Sequence, residues 1–237
     1  MRPPEAGPPR LALIGATGLV GGLLADRLLA PAEGAVVHAL VRRPSGRTHE
    51  RWHEQVAPAS AWPGLAETLP VEAAVSALGT TMRAAGSQAR FRAVDLDSVV
   101  AFAAAARRAG ARHMVAVSSV GADERSRNFY LRTKGEMERA LEALGFDRLD
   151  ILRPGLLRGQ RGGERRPGER IGIALSPVAN LLLRGRLDRY AAIEADIVAA
   201  AIGGALRQAA PGIFRHENRC LRGLASDSEK LDVSTMF

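Results

Sequence analysis

Short apolar runs alternate with amphipathic stretches along this chain. Leu11-Ala-Leu-Ile14 is a short apolar segment suited to a strand covered on both faces. Ala35-Val-Val-His-Ala-Leu-Val41, Glu72-Ala-Ala-Val-Ser-Ala-Leu78, His113-Met-Val-Ala-Val117 and Leu149-Asp-Ile-Leu152 have the same character. Between them the spacing changes to a helical period. Leu23, Leu24, Leu28 and Leu29 mark a first helix before a turn from Pro31 to Gly34. Val99, Val100, Ala103, Ala104 and Ala106 mark another, capped by Asp95 or Asp97 and ending at Gly110. Arg127 to Leu144 reads as a helix stopped by Gly145, and Glu194 to Ala209 as a core-packed one. Met82 to Arg90 is polar and reads as a loop. Strands alternating with helices predict an α/β fold with a doubly wound parallel sheet.

The last third is different. Leu156 to Arg170 is rich in Arg and Gly and reads as a mobile loop. Ile171 to Leu183 is apolar around Pro177, which suits a lid, a pocket wall or ordinary core packing. The expected organisation is therefore a leader over 1–9, a folded domain over 10–225 with a small loop and lid region at 156–190, and a flexible polar tail over 226–237. At 237 residues and 46% hydrophobic, the chain has enough apolar material for one large core. The single cysteine, Cys220, excludes an internal disulfide and suggests a reducing, cytoplasmic setting. The Pro-rich leader lacks the apolar core of a signal peptide. No segment approaches the roughly 18 apolar residues of a membrane span. The net charge of +8 comes from arginines spread along the whole chain, and aromatics are only 4%. That distribution argues against a nucleic-acid partner.

Gly15, Gly18 and Gly21 follow the first strand and open the first helix. A strand, a glycine turn and a helix in that order place backbone N–H groups and a helix N-terminus where a pyrophosphate can bind. Gly15 permits the tight turn, Gly18 lets the backbone approach the phosphates, and Gly21 lets helix and strand pack closely. About 20 residues further on, the residue at the end of the second strand discriminates between cofactors. A carboxylate there bonds the ribose 2′-hydroxyl of NAD, whereas arginine accommodates a 2′-phosphate. This chain has Arg42 and Arg43 with no acid beside them in sequence, which points to NADP(H).

His49-Glu-Arg-Trp-His53 matches a zinc motif that requires a helix, with Glu72 as a conceivable third ligand. Pro44, Gly46, Pro58, Pro63 and Gly64 leave room only for a short helix, so no metal site is expected. Tyr130 and Lys134 are spaced i, i+4 on one helix face. An ammonium beside a phenol favours phenolate, which suits acid–base catalysis. Tyr130 is one of two tyrosines, and Lys134 is the only lysine before Lys230. In an arginine-rich chain a retained lysine suggests a need for that ammonium. Ser118 and Ser119 end the fourth apolar strand, where a hydroxyl can reach the carbonyl or alcohol being converted; Ser119 is the favoured one.

The constellation of Gly15-x-x-Gly18-x-x-Gly21, Arg42-Arg43, Ser118-Ser119, Tyr130-x-x-x-Lys134 and Arg153-Pro-Gly155 resembles an atypical short-chain dehydrogenase/reductase. Leu78-Gly-Thr-Thr81, Ser118-Ser-Val-Gly-Ala122, Asn128-Phe-Tyr130, Lys134-Gly-Glu136, Phe146-Asp-Arg148 and Arg166-Pro-Gly-Glu169 are similar to the Tat-interactive group of NADPH-binding oxidoreductases. The resemblance implies a Rossmann-like sheet with NADP(H) across the C-terminal strand ends. Thr17, Gly18, Leu19 and Val20 would lie near the pyrophosphate, Arg42 and Arg43 at the 2′-phosphate, and Leu78 and Gly79 on the adenosine-ribose side. Tyr130 would exchange the proton, Lys134 would grip the nicotinamide ribose, and Leu157 and Arg166 would also contact the cofactor. Asp95 stands where many relatives of the wider superfamily carry asparagine. The expected activity is NADPH-dependent reduction of a small carbonyl compound. The alternatives are a non-catalytic NADPH-binding regulator and an epimerase or dehydratase that retains its cofactor.

Overall fold

A computed structural model describes residues 9–30, 34–159 and 185–234. The leader through residue 8, Arg166 and the apolar stretch 171–183 lie outside the described residues.

The apolar runs become the inner strands of a seven-stranded sheet: β1 (Arg10–Ile14), β2 (Val36–Val41), β4 (Ala73–Ser76), β5 (His113–Val117) and β6 (Arg148–Arg153). Two further strands, β3 (Trp52–Val56) and β9 (Gly212–Glu217), form its edges in the order β3-β2-β1-β4-β5-β6-β9. Every pairing is parallel. A small separate ladder pairs β7 (Leu157–Arg158) with β8 (Ile193–Glu194). Chain order reverses between β1 and β4, and a crevice opens beyond the carboxyl ends of strands at such a point.

Alternation along the strands builds two cores. Leu11, Leu13, Val37, Val75 and Val115 face one layer, made by α1 (Leu19–Leu29), α7 (Ala195–Leu206) and α8 (Asn218–Ser234). Ala12, Ile14, Leu40, Ala74 and Met114 face the other, made by α2 (Trp62–Glu67), α5 (Ser98–Arg108) and α6 (Phe129–Glu142). Burial on both faces explains why the inner strands are mostly apolar, β6 with Arg148, Asp150 and Arg153 being the exception.

The segment from His49 to His53 straddles a turn and β3 in place of the short helix its flanking residues would allow. Other expectations need correcting. Met82 to Arg90 is not a loop throughout: α3 (Met82–Ala85) and α4 (Gln88–Arg92) form there, capped by the Thr81 and Ser87 side chains. Neither Asp95 nor Asp97 caps a helix. The chain is helical from α4 through a π-helical segment, Ala93–Asp97, into α5, which puts Asp95 in mid-helix and fully buried. The last helix, α8, extends to Ser234.

Candidate functional site

The glycine turn joins β1 to α1. Gly15 has φ +85°, a left-handed conformation that side chains rarely adopt, and a Cβ there would sit 2.4 Å from the Ala77 backbone. This close approach brings the turn against the end of β4. Gly21 lies under the same turn, where a Cβ would meet the Gly15 carbonyl oxygen at 2.2 Å. The α1 N-cap, Gly18, is extended and supplies no side-chain cap. Its carbonyl accepts from Gly22 N–H at 2.9 Å, so the first-turn N–H groups before it have no intrahelical acceptor. Such a helix end favours an anion. Thr17 is exposed and Leu19 half-buried, whereas the Val20 side chain is buried in the core and only its backbone is available.

At the end of β2, Arg42 and Arg43 are exposed and make no hydrogen bond or ion pair with another described residue. Nearby arginines are engaged otherwise. Arg47 pairs with Asp26 and bonds Gly22 O, and Arg51 donates to Leu29 O at 2.7 Å. Leu78 is half-buried and Gly79 exposed, in the loop that leaves β4 beside the glycine turn.

Tyr130 and Lys134 rise from α6, which docks closely because residue 135 is glycine. A Cβ on Gly135 would fall 2.2 Å from Glu124 N. The Tyr130 ring packs on buried Phe91 at 5.4 Å, and its hydroxyl bonds no described residue. Lys134 is 4% exposed. Its Nζ lies 2.7 Å from Asp95 Oδ1 and 3.5 Å from Val117 O. The second Asp95 oxygen accepts Thr80 N–H at 2.9 Å. One carboxylate thus ties the β4 loop to the α6 lysine, a role that the search for a helix cap missed.

The two serines differ. Ser118 is buried and donates to Glu138, which also accepts from Arg153 at 3.0 Å. The hydrogen bond that Arg153 donates to Glu138, opposed by burial and aided by the carboxylate's charge, raises the Arg153 pKa above its ordinary value. Ser119 is half-buried, and its hydroxyl has only a long contact of 3.4 Å to Val120 O. Ser118 is committed to the Glu138–Arg153 network, which leaves Ser119 free for a ligand. Downstream, Gly155 N–H donates to the buried Asn218 side chain at 2.9 Å, and Asn218 donates to Ala191 O at 2.8 Å. This staple holds the Pro154-Gly155 turn, and nothing in the sequence distinguished Asn218. Leu157 is 38% exposed on β7. Its neighbour Arg158 has Nε and Nη2 buried without a partner among the described residues.

The structure therefore gathers the glycine turn, the β4 loop, Ser119, Tyr130 and Lys134 along the carboxyl edge of the sheet. Among the described residues, its backbone N–H groups without an intrahelical acceptor, its arginines without an ion pair and its phenol without a partner fit a nicotinamide dinucleotide. Among the described residues no group of three or more His, Cys, Asp or Glu is placed to hold a metal. No described helix is long and apolar enough to cross a membrane.

A family model described as NAD(P)H-binding matches residues 15–172. The protein Fmp52, mitochondrial, of Emericella nidulans is 35% identical over 205 residues, covering 83% of this chain and 87% of that one. Its Aspergillus fumigatus counterpart is 36% identical over 213 residues, with 83% and 87% covered. Among solved structures, a short-chain dehydrogenase/reductase superfamily protein from Agrobacterium tumefaciens with bound NAD superposes at TM-score 0.65, with 18% identity and 88% and 77% of the two chains covered. The UDP-glucose 4-epimerase of Thermotoga maritima does so at 0.64, with 15% identity and 93% and 82% covered. The matches establish the broad family and do not single out the Tat-interactive group within it. They also correct the cytoplasmic expectation, because relatives this similar over most of the chain are named mitochondrial proteins. A lone cysteine reports on redox conditions and cannot identify a compartment. With its glycine turn, parallel sheet and Fmp52 relatives, the chain belongs to the NAD(P)H-binding family and has the fold of the short-chain dehydrogenase/reductase superfamily.

Proposed function

We propose that this protein is an NADPH-dependent oxidoreductase that reduces a small carbonyl compound. The observation that carries the reading is the Tyr130 hydroxyl, which has no partner among the described residues and shares its helix face with buried Lys134. The nucleotide, when bound, supplies the hydride. The chain supplies the rest. The first turn of α1 takes the pyrophosphate, Arg42 and Arg43 the 2′-phosphate, and Leu78, Gly79 and Leu157 line the nucleotide. Ser119 donates a hydrogen bond to the carbonyl oxygen and polarises it, and Tyr130 delivers the proton to that oxygen. Lys134 holds the ribose side of the site. Arg166, outside the described residues, remains part of this proposal as a cofactor contact.

Tyr130→Phe keeps the ring packing on Phe91 and removes only the hydroxyl. Turnover of NADPH across a carbonyl panel should fall at least 100-fold, the usual scale of a lost general acid, while NADPH affinity stays within a few-fold. Turnover at the wild-type rate would overturn the assignment. The epimerase neighbours carry a second reading, in which the cofactor is retained and regenerated. Nucleotide that co-purifies with the protein, without net NADPH consumption, would favour it.

A further inference from the structure

The Asp95–Lys134 pair sets this site apart from a tyrosine beside an unencumbered lysine. Asp95 is fully buried and Lys134 nearly so. The 2.7 Å contact between Asp95 Oδ1 and Lys134 Nζ places opposite charges together where water does not screen them. A lone ammonium there would act strongly on a phenol one helical turn away. A carboxylate in contact with it turns the charge into a dipole, whose field decays faster. Of the other charged side chains on the packed elements, Glu138 of α6 is matched with Arg153 of β6 and Glu136 of α6 with Arg92 of α4, while Arg90 of α4 and Asp97 of the π-helical segment are exposed to water. The Asp95 segment is also a π-helical turn within an otherwise α-helical run, a distortion frequent at functional sites. The turn aims the carboxylate at both Thr80 N–H and Lys134.

We propose that Asp95 is a positioning residue that fixes the Lys134 ammonium and cancels most of its field at Tyr130, so that the phenol enters the reaction as a proton donor. The inference deepens the reading of Tyr130 given above, and its test needs neither turnover nor nucleotide. Because the chain has two tyrosines, Tyr190→Phe leaves Tyr130 as the only one. Tyrosinate absorbance then follows Tyr130 as pH is raised, with circular dichroism confirming the fold at each pH. In that background Asp95→Asn should move the Tyr130 titration toward acid by about one pH unit or more. Asp95→Asn/Lys134→Met removes both charges together and should return the midpoint close to that of the parent. Asp95→Glu, which keeps the carboxylate, should leave the midpoint in place. An unshifted Asp95→Asn titration overturns the proposal. So does a double variant whose midpoint moves toward alkali by a unit or more, since the ammonium would then have acted uncancelled. Should Asp95→Asn alone fail to fold, the double variant carries the test, because replacing a buried pair by neutral groups is tolerated better than breaking it. Loss of turnover in Tyr130→Phe tests the catalytic reading separately.

Discussion

Arg42 and Arg43 leave β2 exposed and with no carboxylate partner among the described residues, while Arg47 and Arg51 nearby are tied to the protein. A cofactor 2′-phosphate would give both guanidinium groups charge-assisted partners. Such hydrogen bonds contribute about 1.5–3 kcal/mol each, so Arg42→Ala/Arg43→Ala should weaken NADPH binding roughly tenfold or more in a fluorescence titration. NADH, which lacks that phosphate, should bind within about twofold of its wild-type affinity by the same reasoning. Equal losses for both nucleotides would remove the arginine argument. At this scale the sequence revealed what short-range spacing encodes: the glycine turn, the arginine pair, and the tyrosine and lysine one turn apart. Asp95 and Asn218 escaped, for a physical reason. Their partners Lys134 and Gly155 are far along the chain and meet them only through tertiary packing.

Among the elements, five strands were legible because burial on both faces makes them apolar runs. The two strands of the main sheet that escaped, β3 and β9, are its edges. An edge strand needs only one covered side and can carry charge that discourages further pairing. Trp52-His-Glu-Gln-Val56 buries only its tryptophan, and Gly212-Ile-Phe-Arg-His-Glu217 buries no residue fully. Their polar character made the first resemble part of a metal motif and left the second unassigned. The glycine turn shows the converse, a local pattern whose geometry follows closely from its spacing. Gly21→Ala would drive a methyl group into the Gly15 carbonyl. Relief requires α1 to move off β1, an overpacking cost of roughly 1–3 kcal/mol, and the movement displaces the N–H groups proposed to take the pyrophosphate. Expected are a lower thermal midpoint and at least tenfold weaker binding of both NADPH and NADH. A variant that binds normally would show that the close packing does not shape the nucleotide site.

For the whole molecule, one buried cluster decides how the last edge strand is attached. Asp150 of β6 is fully buried, with His113 Nε2 of β5 at 2.7 Å, His216 Nε2 of β9 at 2.6 Å and Arg148 Nε at 2.6 Å. Arg148 also lies over the Phe214 ring at 4.1 Å. Burial alone would push the Asp150 pKa up, but hydrogen bonds from His113, His216 and Arg148, with the Arg148 charge, hold it well below the usual carboxylate range. The sign follows. A carboxyl more acidic when folded than when unfolded stabilises the fold fully above its unfolded pKa near 3.9 and loses that contribution as pH falls. Asp150→Asn removes the charge but leaves Arg148 buried, so at neutral pH it should destabilise by about 3–5 kcal/mol, read from urea midpoints. The gap between variant and wild type should narrow steadily from about pH 4 to pH 2, where the unfolded wild-type chain protonates this carboxyl and the folded one keeps it ionised. NADPH affinity at neutral pH should stay within about twofold, because His113 and Arg148 begin their strands while the nucleotide site lies at the carboxyl ends. A gap that stays constant down to pH 2 would mean that the ionised carboxylate does not anchor β9, and that Phe214 stacked against Arg148 does so instead.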